Sequence, residues 1–381
     1  MSDEALLQTV RRIGEELAAP NTDDVDRNAR FPREAIDALK AEKALSAFVP
    51  EELGGGGVAF PTIAKTCFEL GRFCGATAMV FAMHQIEVAT IVRHLDGADW
   101  YEGYLRRLVD EQRLIASVTS EAGTGGEMGR SVAAVETKGD TCSFEKQAPT
   151  VSYGAEADDL FATVRRAPDA EPGDQVLVLT HKEQTTLEQK GTWDPLGMRG
   201  TCSPGYVVRA EFPSEQILPT PFSRVMPESM VPISHILWSH LWLGIATDAF
   251  DRTRAFVRAA AKQKPGETPP QAARLSHLLT ELSLLRAEVD SALAYFEAAD
   301  RERLGTLASI LRFNSLKIAA SEQAPRVCQG AMAVGGIVAF KNDTPFSVGR
   351  HLRDTMSASL MVANERIHQT NAGLLLVAKD V

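Results

Sequence analysis

The spacing of apolar residues changes twice along the chain and divides it into three regions. Residues 4–112 carry an apolar position every third or fourth residue, which is typical of amphipathic helices. Residues from about 113 to 218 form short runs of β-branched and aromatic residues between Gly, Pro and Asp. Beyond residue 228 the helical spacing returns. We therefore predict an α+β protein with an all-α domain (1–112), an antiparallel β domain (113–222) and a C-terminal helical domain (223–381).

Individual elements follow from the same pattern. One wide apolar stripe predicts a helix over Leu275–Val289, and further long helices are expected over 304–333 and 349–377. Six segments of the middle region are predicted strands: Ile115–Thr119, Val132–Thr137, Cys142–Glu145, Leu160–Val164, Val176–Thr180 and Tyr206–Phe212.

Composition narrows the class of protein. The formal net charge is -10 and no basic stripe is present, which argues against a nucleic-acid partner. No apolar run is long enough for a membrane span, and the N-terminus lacks the pattern of a secretory signal. The five cysteines are scattered without metal-site or redox-motif spacing, so we expect reduced thiols, a cytoplasmic location and no metal.

Four local sequences carry more specific information. Residues 49–55 read Val-Pro-Glu-Glu-Leu-Gly-Gly, and residues 116–126 read Ala-Ser-Val-Thr-Ser-Glu-Ala-Gly-Thr-Gly-Gly. Residues 146–158 read Lys-Gln-Ala-Pro-Thr-Val-Ser-Tyr-Gly-Ala-Glu-Ala-Asp, and residues 193–201 read Trp-Asp-Pro-Leu-Gly-Met-Arg-Gly-Thr. Glycines such as those at the end of the second segment let backbone N–H groups approach a phosphate closely.

Together with the domain order, these segments resemble the acyl-CoA dehydrogenase family. The resemblance implies that the C-terminal domain is a four-helix bundle and that FAD lies between the bundle and the β domain. It also implies a homodimer or homotetramer, because in this family a second subunit completes the flavin site.

The resemblance assigns cofactor contacts residue by residue. Thr119 corresponds to a threonine at the flavin ring, Thr150 to a tryptophan that covers the ring, and Ser152 to a threonine that bonds flavin N5. Lys262 corresponds to a partner-chain arginine. The full predicted set is Val118, Thr119, Gly125, Gly126, Thr150, Val151, Ser152, Lys262, Gly335 and Gly336.

The family's catalytic glutamate has no counterpart. Counted from Arg353-Asp354, the position of this general base is Val362, and the alternative position used by some relatives is Ser234. Glu365, one helical turn beyond Val362, is the predicted substitute. His368 and His235 are further candidates, whereas His84, in an apolar segment, is interpreted as a buried structural histidine.

On this evidence we expect the first of three functions, and the other two remain open as alternatives. The first is an FAD-dependent oxidoreductase that acts on a CH–CH bond of acyl-CoA or another acyl thioester, with hydride transfer to flavin N5 and a separate electron acceptor. The second is a flavin-dependent monooxygenase or oxidase on the same fold, supplied by a flavin reductase. The third is a non-catalytic binding protein of the same family.

Overall fold

The computed structural model describes residues 1–95 and 97–379. The N-terminal region is helical, and its helices surround a core that includes Leu6, Val10 and Ile13, the stripe of the first helix. The helices are α1 (Asp3–Ile13), α2 (Ala19–Arg27), α3 (Arg33–Ala41), α4 (Phe60–Phe73), α5 (Gly75–Arg93) and α6 (Asp99–Glu111).

Helix α5 is the most apolar helix of this region. By length and composition it could cross a membrane, but 89% of its most apolar window is buried inside the protein. Its burial on nearly all sides identifies it as a core helix that the other elements pack around.

The middle region holds two sheets. The strands are β1 (Ile115–Val118), β2 (Glu136–Lys138), β3 (Thr141–Ala148), β4 (Asp159–Arg165), β5 (Gln175–His181), β6 (Thr185–Lys190) and β7 (Gly205–Pro213). One sheet has the order β1-β4-β5 and the other the order β2-β3-β7-β6.

The strands differ from the prediction in three respects. Most of the strand predicted over Val132–Thr137 is irregular chain with an isolated bridge at Ala134, and β2 begins only at Glu136. The predicted antiparallel arrangement has one exception, because β1 pairs parallel to β4, and the chain between them crosses over through β2 and β3 of the other sheet. Strand β6 was not predicted, since its residues Thr-Thr-Leu-Glu-Gln-Lys are mostly exposed at a sheet edge and lack an apolar run.

The C-terminal region is a helical bundle in which α8, α9 and α11 pack against one another and α4 packs along α8. Its helices are α7 (Phe222–Val225), α8 (Val231–Gln263), α9 (Ala272–Ala298), α10 (Arg301–Leu304), α11 (Leu307–Gly335), α12 (Ile337–Phe340), α13 (Gly349–Met356) and α14 (Asn364–Leu375).

The fourth long helix of the bundle is broken, which the sequence did not predict. The helix expected over 349–377 ends at Met356 and restarts at Asn364. Ser357 Oγ donates to the Asp354 carbonyl at 2.6 Å, and such a side-chain bond competes with the helical ladder. The broken segment 357–363 faces the interior where the three regions meet.

Candidate functional site

A cavity of about 510 Å³ lies where the three regions meet. Its wall is formed by α5, the chain around the end of β1, residues 150–152, residues 193–203, the start of α8, and the chain from Arg353 to Val362. The volume is in the range of cofactor and small-molecule sites. Each of the three regions therefore contributes to one enclosed space.

Methionine dominates the apolar part of this wall. The chain has ten methionines, and seven of them line the cavity, together with Trp193 and Trp238. The seven come from separate parts of the chain: Met79, Met83, Met128, Met198, Met230, Met356 and Met361.

Hydroxyl groups form a polar row on the β-domain side. Thr201 Oγ1 and Ser203 Oγ are 2.8 Å apart, and Ser203 Oγ donates to Ser152 Oγ at 2.9 Å. Ser120 Oγ donates to the Thr150 carbonyl at 2.6 Å, which joins the chain after β1 to the 150–152 segment. The row gives the cavity one wall able to hydrogen-bond a heterocycle.

The structure brings together the predicted ring contacts. Thr119, Thr150 and Ser152 all line the cavity, from different segments of the β domain. Val118 and Val151 are fully buried beside them in the chain and do not form the wall. Thr150 itself is exposed, so the place of the family's covering tryptophan is occupied by a small side chain at the cavity edge.

The predicted glycine pair forms a cradle under an arginine. Gly125 and Gly126 have φ values of +63° and +81°, and a Cβ on Gly126 would lie 2.5 Å from Arg366 Nη1. Within the described residues, no carboxylate lies at ion-pair distance from Arg366. Gly125, Gly126 and Arg366 are not part of the cavity wall, but a turn without side chains beneath a guanidinium that has no ion pair is suited to a phosphate.

Three of the predicted cofactor residues lie away from the cavity wall. Lys262 is exposed near the end of α8, whereas Ser234 on the cavity wall is near its start. At 1.5 Å per residue the two are about 42 Å apart along the helix. Gly335 and Gly336 end α11, outside the cavity wall. Within one chain these residues cannot join the others, so they could serve only the cavity of another copy.

Two sequence motifs meet at the cavity rim. A Cβ on Gly197 would lie 2.0 Å from the Arg353 carbonyl oxygen, so only glycine allows this approach. The Met198 N–H donates to Asp354 Oδ1 at 2.7 Å, and burial raises the pKa of Asp354 to about 6. Arg353 is ion-paired with Asp26. The turn at 193–201 is thereby fixed to α13.

Both positions of the family's catalytic base lie on the cavity wall. Val362 and Ser234 line it, as the resemblance predicts for a base, and neither carries a carboxylate. Ser234 Oγ donates to the Met230 carbonyl within its own helix. Val362 has φ +50°, which is strained for a β-branched residue and is typical of functional segments.

The structure does not support Glu365 as the substitute base. Its side chain is exposed on the outer face of α14 and is absent from the cavity wall, because the helix break turns the chain after Val362. His368 is exposed as well. The buried His235 bonds the Phe313 carbonyl.

The interpretation of His84 as a buried structural histidine is confirmed. The Ile115 N–H donates to His84 Nδ1 at 3.1 Å, and Nε2 bonds the Leu45 carbonyl at 2.9 Å. Burial lowers the pKa of His84 to about 4, which keeps the ring neutral.

Sequence reasoning missed Glu87, the carboxylic side chain on the cavity wall. Glu87 is 1% exposed, and its Oε2 has no hydrogen-bond partner among the residues that the structure describes. Burial raises its pKa to about 8, against an opposing hydrogen bond from Ser117. A lone glutamate within the apolar run of α5 was the available signal, but the residue lies outside the four motifs.

Glu87 gives the cavity a proton-bearing group. The cavity also contains Trp238, whose Nε1 is buried without a partner. Apart from Glu87, the charged side chain on the wall is Arg353, which is already paired. The site therefore combines a large apolar wall, a hydroxyl row, and a neutral carboxyl that can donate or accept a hydrogen bond.

Comparison with known proteins agrees with this architecture. The model of the acyl-CoA dehydrogenase N-terminal domain matches residues 2–112, and that of the C-terminal domain matches residues 234–368. Cyclohex-1-ene-1-carbonyl-CoA dehydrogenase of Syntrophus aciditrophicus is 24% identical, over 98% of this chain and 89% of its own. The probable FMNH2-dependent monooxygenase SfnC of Pseudomonas putida is also 24% identical, over 95% and 93%.

A solved structure shares the fold throughout. FMN-bound TdsC from Paenibacillus sp. A11-2 superposes with a TM-score of 0.84 at 18% identity, covering 98% of this chain and 97% of that one. The predicted fold class and family resemblance are confirmed. This chain belongs to the acyl-CoA dehydrogenase family of flavin enzymes.

Proposed function

We propose that this protein is a flavin-dependent monooxygenase built on the acyl-CoA dehydrogenase fold. The observation that carries the proposal is the cavity wall itself, where Val362 and Ser234 occupy both positions of the family's base. Removal of an acidic α-proton requires a positioned base, whereas oxygen transfer from a reduced flavin does not. Similarity to SfnC, named as an FMNH2-dependent monooxygenase, supports the same chemistry.

The chain's own residues fit a bound flavin. Thr119 and Ser152 would contact the ring on the hydroxyl side, and the cradle under Arg366 would hold the phosphate. A reduced flavin bound there would supply the two electrons that, together with two protons, convert one atom of O2 to water while the other atom enters the substrate.

The remaining wall residues have two roles in this reaction. The methionines and Trp238 would exclude water from the space that the flavin ring and the substrate share. Glu87, neutral below about pH 8 because burial raises its pKa, holds a proton at the cavity wall that can be delivered to a leaving oxygen.

A second function is favoured by one observation. Glu87 is a carboxyl on the cavity wall and could replace the missing base in dehydrogenation of an acyl thioester such as acyl-CoA, with an external electron acceptor. One observation argues against this second function. The cation on the wall, Arg353, is ion-paired with Asp26 and is therefore not free to bind the phosphates of CoA.

Flavin-loaded protein separates the two reactions. With a flavin reductase, NADH and isotopically labelled O2, uncharged aromatic compounds should yield products that contain the label, measured by mass spectrometry. Acyl-CoA thioesters added anaerobically should leave the flavin absorbance unchanged. Rapid anaerobic bleaching by an acyl-CoA, without labelled product from any compound, would overturn the proposal in favour of dehydrogenation.

A control variant excludes the exposed glutamate. Glu365→Gln should show the same labelled product and the same flavin spectrum as the unmodified protein, because its side chain is exposed outside the cavity. Loss of activity in this variant alone would show that the helix break is rearranged during turnover.

A further inference from the structure

We propose that Glu87 is a substrate-binding residue, and that the cavity accepts an uncharged, flat aromatic molecule whose single hydrogen-bonding group contacts the Glu87 carboxyl. The inference rests on the proposed function only in assigning this cavity to the substrate. It adds the substrate class and the residue that recognises it.

The position of Glu87 on its helix is the first argument. Residues 79, 83 and 87 are spaced by four and lie on one face of α5, and all three line the cavity. Glu87 is therefore the polar end of a methionine stripe. Its Oε2 is buried and has no hydrogen-bond partner within residues 1–95 and 97–379, whereas buried polar atoms nearly always have one. A bound molecule can supply the missing hydrogen bond.

The charges around Glu87 indicate a neutral ligand. Ser117 is its hydrogen-bonding neighbour on β1, and Tyr153, packed from the β domain, donates its hydroxyl to the Ile115 carbonyl instead. Arg353 is paired with Asp26. With no cation to balance it, the buried carboxyl is favoured in its neutral form and its pKa is raised to about 8.

The methionine wall indicates an aromatic ligand. Seven of the chain's ten methionines line this cavity, and Trp238 adds an aromatic face from α8. Thioether sulfur is polarisable, makes favourable contacts with aromatic rings and adapts to irregular shapes. An anionic headgroup such as that of CoA finds no unpaired cation on the same wall.

Calorimetric titration of the oxidised, flavin-loaded protein tests this inference without turnover. The probes are 2-naphthol, with one hydroxyl, naphthalene, with none, and the ammonium form of 2-(aminomethyl)naphthalene. The unmodified protein should bind 2-naphthol about tenfold more tightly than naphthalene, the value of one buried hydrogen bond. The ammonium compound should bind more weakly than 2-naphthol.

Variants assign the difference to Glu87. Glu87→Leu should remove the preference for 2-naphthol over naphthalene, and Glu87→Gln, which can still hydrogen-bond, should retain it. Met83→Leu, a change of the same wall at similar volume, should weaken both ligands alike. If Glu87→Leu fails to fold, Glu87→Met, which keeps the length of the side chain without a strong hydrogen-bonding group and continues the methionine stripe, tests the same loss of preference.

Four outcomes would overturn the inference: equal binding of naphthalene and 2-naphthol, a preference for 2-naphthol that Glu87→Leu retains, tightest binding of the ammonium compound, or no binding of any probe. These outcomes are independent of the oxygenation test. A protein that binds 2-naphthol through Glu87 but incorporates no labelled oxygen refutes the proposed function alone.

Discussion

Replacement of Glu87 by glutamine should make the protein more stable at alkaline pH than the unmodified protein. The ordinary pKa of a glutamate is 4.5, and burial raises the pKa of Glu87 to about 8. Between these values the folded state keeps a proton that the unfolded state has released. The contribution of Glu87 to the stability of the unmodified protein therefore falls as the pH rises from 4.5 to about 8 and then levels off.

The size of the effect follows from the same two values. Each pH unit in this window changes the free energy of unfolding by about 1.4 kcal/mol, so the full cost of ionising Glu87 is about 5 kcal/mol. Glutamine has similar shape and does not titrate. The stability difference between Glu87→Gln and the unmodified protein should therefore grow by about 4 kcal/mol between about pH 5 and pH 9.

Urea denaturation of flavin-free protein, followed by tryptophan fluorescence at one fixed protein concentration, measures this difference. Glu365→Gln is the matched control, since it makes the same substitution at an exposed side chain outside the cavity. If the Glu87→Gln difference is flat across this range, the carboxyl is not held neutral by burial, and its assignment as a proton-bearing group is refuted.

Two further predictions concern the cavity rim and the cradle. Gly197→Ala should cost about 3 kcal/mol of unfolding free energy in the same urea assay, because its Cβ would overlap the Arg353 carbonyl oxygen. Gly103→Ala on α6, where a Cβ meets nothing within 4 Å, should instead stabilise by about 0.5 kcal/mol, and equal losses in both variants would refute the close approach. Arg366→Gln should weaken FMN binding about tenfold in a fluorescence titration and leave riboflavin, which lacks the phosphate, unaffected. An equal effect on both flavins, or the same effect in Arg326→Gln on the exposed face of α11, would contradict the phosphate role.

The sequence was informative wherever local pattern and packing agree. Helical spacing and strand-like runs predicted the succession of helices, sheets and bundle, because each element buries the stripe that its own residues define. The motifs correctly placed Thr119, Thr150 and Ser152 on the cavity wall, since each follows or opens a segment of the β domain.

The sequence was uninformative where tertiary contacts override the local preferences of its residues. The residues around Val362 include no Gly or Pro that would predict a helix break, yet Val362 itself has a positive φ. Because of that break, the side chain of Glu365 is exposed. The prediction counted residues along an unbroken helix and therefore expected Glu365 near the cavity. The role of Glu87 could not be predicted from the sequence. Its unusual feature is its burial, which arises only when the three regions of the fold meet around α5.

The parallel pairing of β1 with β4 has a consequence for the order of folding. Ile115 pairs with Asp159, 44 positions later in the chain, and the backbone N–H of Ile115 also bonds His84 on α5. Contacts this distant in sequence form slowly, because a long loop must close before they contribute. We therefore expect the hydroxyl row and Glu87 to reach their final relative positions late in folding, after the crossover and the helical region have both formed. Flavin capture during refolding should consequently lag behind the recovery of helical circular dichroism, so a newly made chain would pass through a compact stage with no binding site.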